Sequence, residues 1–441
     1  MNDEFHDYEL AGAKAFLSSD MYKAAQAYWL AAQSDKLLRA QLTHFSSYLF
    51  CLHYLPRVSD EDIARQLVLY GKMCPVEKYR ESRSIKGKRI RIGYLSADFR
   101  QHIMADFIRP FIEDYDKESF EVFVYSLTSP ESENELLRNA PVSWRNTYQW
   151  APQDTAQLIR EDSIDILVDL CGHTHGGLTL MIASFRPAPI QLSAIGWINS
   201  TGLRAMDFYL SDEICCLPGD EAAYTEDVIR LDGCHMCYAP LKGLPEVKPF
   251  RHREDVVLGS FSNFDKLNDD VLTVWKDIMI ELPEARLIMK DTTAIESRRT
   301  AILNRLEAAS MPMDRIRAEL ASDDYLMEYN GIDIALDTFP YTGGGTVCQA
   351  LAMGVPVIAL YGTRHGSRLS SSILSAAGHE ELIAFSRLEY ISKVIELARD
   401  RKRLWSYHEG LSSDIKGSAL MDRKLYMKRI ESQYRKIKYK Y

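Results

Sequence analysis

No apolar run in the chain approaches the ~18–20 residues needed to cross a bilayer, which excludes a long apolar membrane helix. The first residues, Met1-Asn2-Asp3-Glu4-Phe5-His6, are acidic and lack the basic-then-apolar order of a signal peptide. A cytoplasmic location is therefore expected. Positive charge is also short. The formal net charge of −9 argues against the broad electrostatic footprint of a nucleic-acid binder. The eight cysteines are scattered without a disulfide framework, so reduced thiols are expected. Cys234-His235-Met236-Cys237 has CxxC spacing, but no second such pair or His pair follows at zinc-finger spacing. Absent too are the GKS or GKT ending of a P-loop and the spacing of a dinucleotide fingerprint.

What is present is a globular composition, 46% hydrophobic and 26% charged. A length of 441 residues allows two to three domains of ~100–200 residues each. Residues 8 to about 80 read as helical from apolar positions at three-to-four spacing. Within them, Tyr22, Ala25, Trp29 and Ala32 resemble one tetratricopeptide unit. A lone unit cannot bury both its faces, so these helices are expected to dock on the next domain, as a plain cap or as a peptide-binding element.

The texture changes at the basic linker Lys86-Gly87-Lys88-Arg89. Apolar β-rich runs then alternate with amphipathic stretches: Ile90 to Leu95, Phe120 to Leu127, Ile164 to Leu170, Ile190 to Ile195 and Phe208 to Leu210. After a loop rich in Pro, Lys and Gly (Pro240 to Pro249), the pattern restarts with Val256 to Phe261, Ala285 to Met289, Ile332 to Leu336 and Val355 to Tyr361. Alternation of this kind indicates βαβ units and parallel sheets covered on both faces. The expected class is α/β, with two Rossmann-like lobes, a cleft between them, and ligands beyond the carboxyl ends of the strands. The expected boundaries are 1–85 for the helical cap, 86–245 and 246–405 for the two lobes, and 406–441 for a C-terminal helix packing back on the first lobe. Its basic residues, among them Lys424, Arg435 and Lys438, read as a solvated helix face.

Four segments follow strand ends and carry chemistry. The first is Asp337-Thr338-Phe339-Pro340-Tyr341-Thr342-Gly343-Gly344-Gly345-Thr346, ahead of the helical run Val347 to Met353. Its glycines admit close backbone approach and positive φ, and a helix start offers N–H groups and positive potential to a diphosphate. Thr346 can cap that helix or donate to phosphate. By itself the turn reads equally as a tight connection or an anion site. The second segment holds Asn263 and Lys266; a lysine there can neutralise a departing phosphate in place of a metal. The third places Asp98 and His102 four residues apart, and His is a natural base near neutral pH. The fourth, Gly172-His173-Thr174-His175-Gly176-Gly177, is a weak metal signal, with no carboxylate or third His at metal spacing in sequence.

Together these segments resemble the catalytic region of the protein O-linked N-acetylglucosamine transferase family, including its Spindly-type and short bacterial members. The match runs from about Phe45 to the C-terminus. Its most specific pieces are Gly93 to Phe99 with His102, Arg186-Pro187-Ala188-Pro189-Ile190-Gln191, and Leu336 to Tyr341 with its glycines; Gly366-Ser367-Arg368 also fits the family's short Ser-Arg motif. The resemblance implies a GT-B fold and inverting transfer of N-acetylglucosamine from UDP to Ser or Thr hydroxyls of a protein or peptide, with no metal or other cofactor. It implies that Lys266 binds phosphate and Asn263 helps hold the diphosphate. Gly344, Gly345 and Thr346, after Gly343, would surround the phosphates, and Tyr325 would lie beneath the nucleobase. His102 would position or deprotonate the acceptor, with Asp98 or a phosphate oxygen as alternative proton acceptors. Gln349 stands where an acid usually meets the ribose, Gly344 replaces a His of animal members, and Gly196 to Gly202 and Ile103 also depart from the pattern. These changes leave UDP-glucose or GDP-fucose as alternative donors, a non-protein acceptor as an alternative target, and an inactive nucleotide-sugar scaffold as an alternative class. The expected partners are a nucleotide sugar and a protein or peptide, not nucleic acid or membrane; the oligomeric state is open.

Overall fold

A computed structural model of the chain describes residues 3–78, 89–250 and 255–440. Of the basic linker, Lys86 to Lys88 lie outside the described residues. The chain divides into two compact units, each assembled from separated stretches. One comprises residues 28–50, 59–241 and 422–441; the other comprises 1–27, 51–58 and 242–421.

The first of these units is built on seven strands: β1 (Ile90–Ser96), β2 (Phe120–Ser126), β3 (Ser143–Asn146), β4 (Ile166–Asp169), β5 (Ile190–Ser193), β6 (Phe208–Asp212) and β7 (Asp227–Leu231). They form one sheet in the order β3-β2-β1-β4-β5-β6-β7. All its pairings are parallel, from Ile90 opposite Phe120 to Ser96 opposite Ser126 on one side of β1, and Ile92 opposite Ile166 on the other. The central strands are apolar nearly throughout because both faces are covered. Leu95, Phe123, Tyr125 and Leu167 pack with Ile159 and Ile182 from flanking helices. The last helix, Arg423–Lys440, belongs to this unit, with Tyr426, Ile430 and Tyr434 buried. Its basic face is not simply solvated. Arg423 pairs with Glu113 at 2.7 Å and Asp114 at 2.5 Å, Arg435 with Asp116 at 3.2 Å, and Lys438 with Asp165 at 2.7 Å. Acids on the neighbouring elements pair these residues, while Lys424, Lys428 and Lys436 are exposed as a solvated face requires.

The other unit carries β8 (Val257–Phe261), β9 (Arg286–Lys290), β10 (Ile316–Glu319), β11 (Ile334–Leu336), β12 (Val357–Leu360) and β13 (Ile383–Ala384), in the order β10-β9-β8-β11-β12-β13. Every pairing is again parallel. Counted along the chain, both sheets run 3-2-1-4-5-6, with a seventh strand added at the end of the first, the doubly wound order in which the topology reverses beside the first strand. The reversal lies between β1 and β4 in one sheet, and between β8 and β11 in the other.

The N-terminal region is helical, with helices Asp3–Leu17, Met21–Ser34, Leu38–Leu52 and Asp60–Met73. Ala25 and Ala32 are buried as a repeat unit requires, and Trp29 packs edge-on to Phe45 at 5.6 Å. Tyr22 departs from the expected pattern, being 50% exposed. Among the described residues, no helix is long and apolar enough to cross a membrane. All eight cysteines are buried thiols, Cys234 and Cys237 included, and none forms a disulfide.

Candidate functional site

In a doubly wound sheet, ligands bind beyond the strand ends where the order reverses. At the β8/β11 reversal, the chain places Asn263 to Lys266 after one strand and Asp337 to Thr346 after the other. Asn263 caps the short turn Phe264–Lys266 by accepting from the Asp265 amide at 2.9 Å. The turn sends Lys266 toward the glycine segment, where Nζ donates to Thr342 O at 2.9 Å and lies 4.1 Å from the Tyr341 ring centre. Burial pulls the Lys266 ammonium down to about 8, against the opposing pull of Asp337 and Asp265.

The glycine segment is held from beneath. Buried Asp337 accepts from the Gly343 amide at 2.8 Å and from Ser370 Oγ at 2.5 Å, while Ser370 also donates to Gly343 O at 2.8 Å. Thr342 donates through its amide and its hydroxyl to Gly366 O, at 3.1 and 2.9 Å. The Gly366-Ser367-Arg368 motif thus buttresses the turn. Two expectations are corrected here. None of Gly343, Gly344 and Gly345 takes positive φ; Gly344 has φ −114°. The requirement is space: a Cβ on Gly343 would come within 2.8 Å of Thr346 Oγ1 and 3.0 Å of Asp337 Oδ1. Gly344 is also the cap of helix Gly345–Ala352, so Thr346 lies inside the first turn instead of capping it. No acid occupies that turn, and its leading N–H groups have no partner within the helix. A half-buried lysine beside an acid-free helix start is an arrangement whose charge suits an anion.

Tyr325 and Gln349 are brought together, the buried Gln349 amide donating to the Tyr325 hydroxyl. Asn263 is also committed. Its side-chain oxygen accepts from Arg298 Nη2 at 2.5 Å. Buried Arg298, which the sequence did not single out, binds Asp291 at 2.5 Å and Asp265 at 2.9 Å as well.

At the β1/β4 reversal, the loops after the two strands carry the other candidates. Asp98 is buried, and its Oδ1 lies 3.1 Å from His175 Nε2, 3.3 Å from Arg100 Nη2 and 3.5 Å from His102 Nδ1. Burial opposes its ionisation, yet His175, His102 and Arg100 outweigh that and hold the carboxyl below its ordinary range. Burial likewise lowers His102, with Asp98 pulling the other way. Asp98 caps no helix, since Met104–Glu113 begins after Ile103. The carboxylate that was missing beside the histidines in sequence is supplied by Asp98, across the sheet. Asp98, Cys171 and His175 offer donor atoms within 4.8 Å of one another. Their chemistry fits a metal poorly: Arg100 already occupies the carboxylate, and burial raises the Cys171 thiol well above its usual value.

The two loop histidines divide their roles. His175, Gly176 and Gly177 run consecutively through left-handed backbone, with φ 51°, 67° and 69°, which turns His175 onto Asp98. His173 is buried instead, with Nε2 donating to Thr201 O at 2.8 Å and Nδ1 accepting from Ser46 at 3.0 Å. Buried Asp169 anchors the same loop by accepting from the Cys171 and Gly172 amides at 3.0 Å each. Burial lowers His173 to about 4, so the unfolded chain binds its proton first as pH falls from 6.5. We expect this residue's contribution, about 3 kcal/mol at most, to be present above pH 6.5 and lost toward pH 4. His173→Ala should cost about 2–4 kcal/mol in urea unfolding at pH 7; an unchanged midpoint would show that the buried ring holds nothing. The Arg186 motif is structural too. Arg186 pairs with Asp207 at 2.7 Å, and Gln191 donates to Ala183 O and Ala205 O at 2.9 and 2.7 Å.

The profile of glycosyl transferase family 41 matches residues 67–235 and 249–430. A probable UDP-N-acetylglucosamine–peptide N-acetylglucosaminyltransferase SPINDLY of Solanum lycopersicum is 30% identical over 88% of this chain and 43% of its own length. The protein of that name from Arabidopsis thaliana is 32% identical over 80% of this chain and 40% of its own. The chain thus spans less than half the length of these curated relatives. A mutant O-GlcNAc transferase of Thermobaculum terrenum superposes with a TM-score of 0.86 at 29% identity, covering 98% of this chain and 83% of that one.

Proposed function

Because the chain belongs to glycosyl transferase family 41, we propose that it transfers N-acetylglucosamine from UDP to Ser or Thr hydroxyls of a protein or peptide, with inversion and without a metal. Its two Rossmann-like units are those of a GT-B fold. The observation that carries the reading is Lys266 set beside the acid-free start of helix Gly345–Ala352 at the β8/β11 reversal. In this reading the acceptor oxygen attacks the anomeric carbon, and the bond to the UDP oxygen breaks on the opposite face. Lys266 and the helix-start N–H groups take up the charge that develops on the diphosphate, the task a metal would otherwise perform. The hydroxyl proton passes to His102, whose imidazolium Asp98 stabilises. A cytoplasmic location and a protein partner belong to the same reading.

The test is to offer the purified protein a panel of UDP- and GDP-sugars with cell lysate and read sugar-sized mass additions. Addition of N-acetylhexosamine from UDP supports the proposal; no binding of any sugar nucleotide ends it. The Gln349 amide, tied to Tyr325 where an acid is expected, favours a second donor reading, UDP-glucose or GDP-fucose, and the same panel separates the three. UDP affinity should fall as pH rises through about 8, because Lys266 then loses its proton. Calorimetric titrations from pH 7 to 9 check this, and a flat profile would remove the ammonium from binding.

A further inference from the structure

The N-terminal helical region reaches the donor site from behind at three points, all within one compact unit. Phe16 O, at the end of helix Asp3–Leu17, accepts from Arg298 Nη1 at 3.2 Å. Arg298 in turn grips Asn263, Asp265 and Asp291, the residues that shape the turn ending in Lys266. Tyr54, buried in the 51–58 stretch, sets its ring 5.0 Å from that of Tyr341, whose face carries the Lys266 ammonium. Val58 O accepts from Arg364 at 2.9 Å, just ahead of the Gly366 carbonyl that holds Thr342.

We propose that Tyr54 and Arg298 are positioning residues for Lys266, so that the N-terminal helical region forms the rear wall of the diphosphate site. This rests on Lys266 being the donor-phosphate lysine. The ammonium has two contacts that fix its place, the Thr342 carbonyl and the Tyr341 ring. A ring held from behind keeps its face beneath the cation, and a cation over an aromatic face within ~6 Å is attracted to it. Arg298 acts on the other end of the lysine, through the backbone turn. Its planar fork satisfies several acceptors at once, which a lysine cannot do. Neither Tyr54 nor Arg298 needs to touch the donor.

The experiment titrates UDP into the full-length wild type, Tyr54→Phe, Tyr54→Ala and Arg298→Lys, with transfer kinetics measured alongside. Tyr54→Ala should weaken UDP binding and raise the donor KM about tenfold, an effect of about 1.4 kcal/mol, with acceptor KM unchanged. Tyr54→Phe keeps the ring and should stay within about twofold of wild type. Arg298→Lys keeps the charge, loses the fork, and should weaken UDP by about tenfold. A folded Tyr54→Ala variant that binds UDP like wild type overturns the proposal, as does a Tyr54→Phe variant as weak as Tyr54→Ala. Wild type failing to bind UDP would instead overturn the functional reading, which separates the two failures.

Discussion

Lys266→Ala should lower the transfer rate about 10²- to 10³-fold, the loss seen when a single charge-stabilising donor is removed, without lowering the unfolding temperature. The ammonium is already costly in the folded chain. A drop from 10.5 to about 8 means that burial disfavours the charge by about 3 kcal/mol more than its neighbours favour it. An incoming diphosphate recovers that energy, and more of it as leaving-group charge grows, so the lysine contributes to the transition state more than to the fold. A stability measurement carries the same sign. Between pH 8 and 10.5 the unfolded chain holds a proton that the folded chain has shed, so wild-type stability gains from this group as pH rises. The alanine variant should lose that gain. Undiminished transfer by the variant would remove the lysine from the mechanism.

Asp98→Asn is the second large effect. We expect about a 10²-fold fall in the plateau of the pH–rate profile, at the lower end of what general base catalysis contributes, with the acid limb moved to lower pH. Among the described residues, the Asp98 carboxylate is the anion that meets His102, His175 and Arg100 together in this corner. Without it, burial and the guanidinium both act against an imidazolium, so His102 stays neutral at lower pH but becomes a weaker base. Rate profiles from pH 5 to 9 decide the matter. An unmoved limb with an unchanged plateau would leave Asp98 a structural anchor and shift the proton to a phosphate oxygen.

The sheets were legible in the sequence at their centres and illegible at their rims. The nine apolar runs correspond to strands β1, β2, β4, β5, β6, β8, β9, β11 and β12. The four strands without such a run, β3, β7, β10 and β13, are the outermost strands of the two sheets. Three of them bury little: Ser143–Asn146 has no fully buried residue, Asp227–Leu231 has only Leu231 and Ile316–Glu319 only Ile316, while buried β13 is just two residues long. Partial cover in those three and the shortness of β13 leave no continuous hydrophobic signal. The chemistry divides the same way. Lys266 and the glycine turn were visible because each follows a strong strand. Arg298 was not, since it arrives from helix Glu296–Ala308 and acts by reaching across to three acceptors. The His173/His175 pair could not be sorted in sequence. Only the left-handed run after Thr174 aims one ring at Asp98 and leaves the other buried.

The interleaving of the chain between its two units carries a consequence for biosynthesis. Residues 1–27 and 51–58 belong with 242–421, while 28–50 and 59–241 belong with 422–441. Neither unit is a contiguous fragment, so neither can be finished early as the polypeptide leaves the ribosome. The helix Asp3–Leu17 must wait for Arg298, and the first sheet must wait for Tyr434, 340 residues after its partner Tyr94. Domains that emerge whole ordinarily fold in turn. Here each unit closes only after a stretch of the other has been made, and a truncation within residues 242–421 leaves two incomplete cores instead of one finished domain.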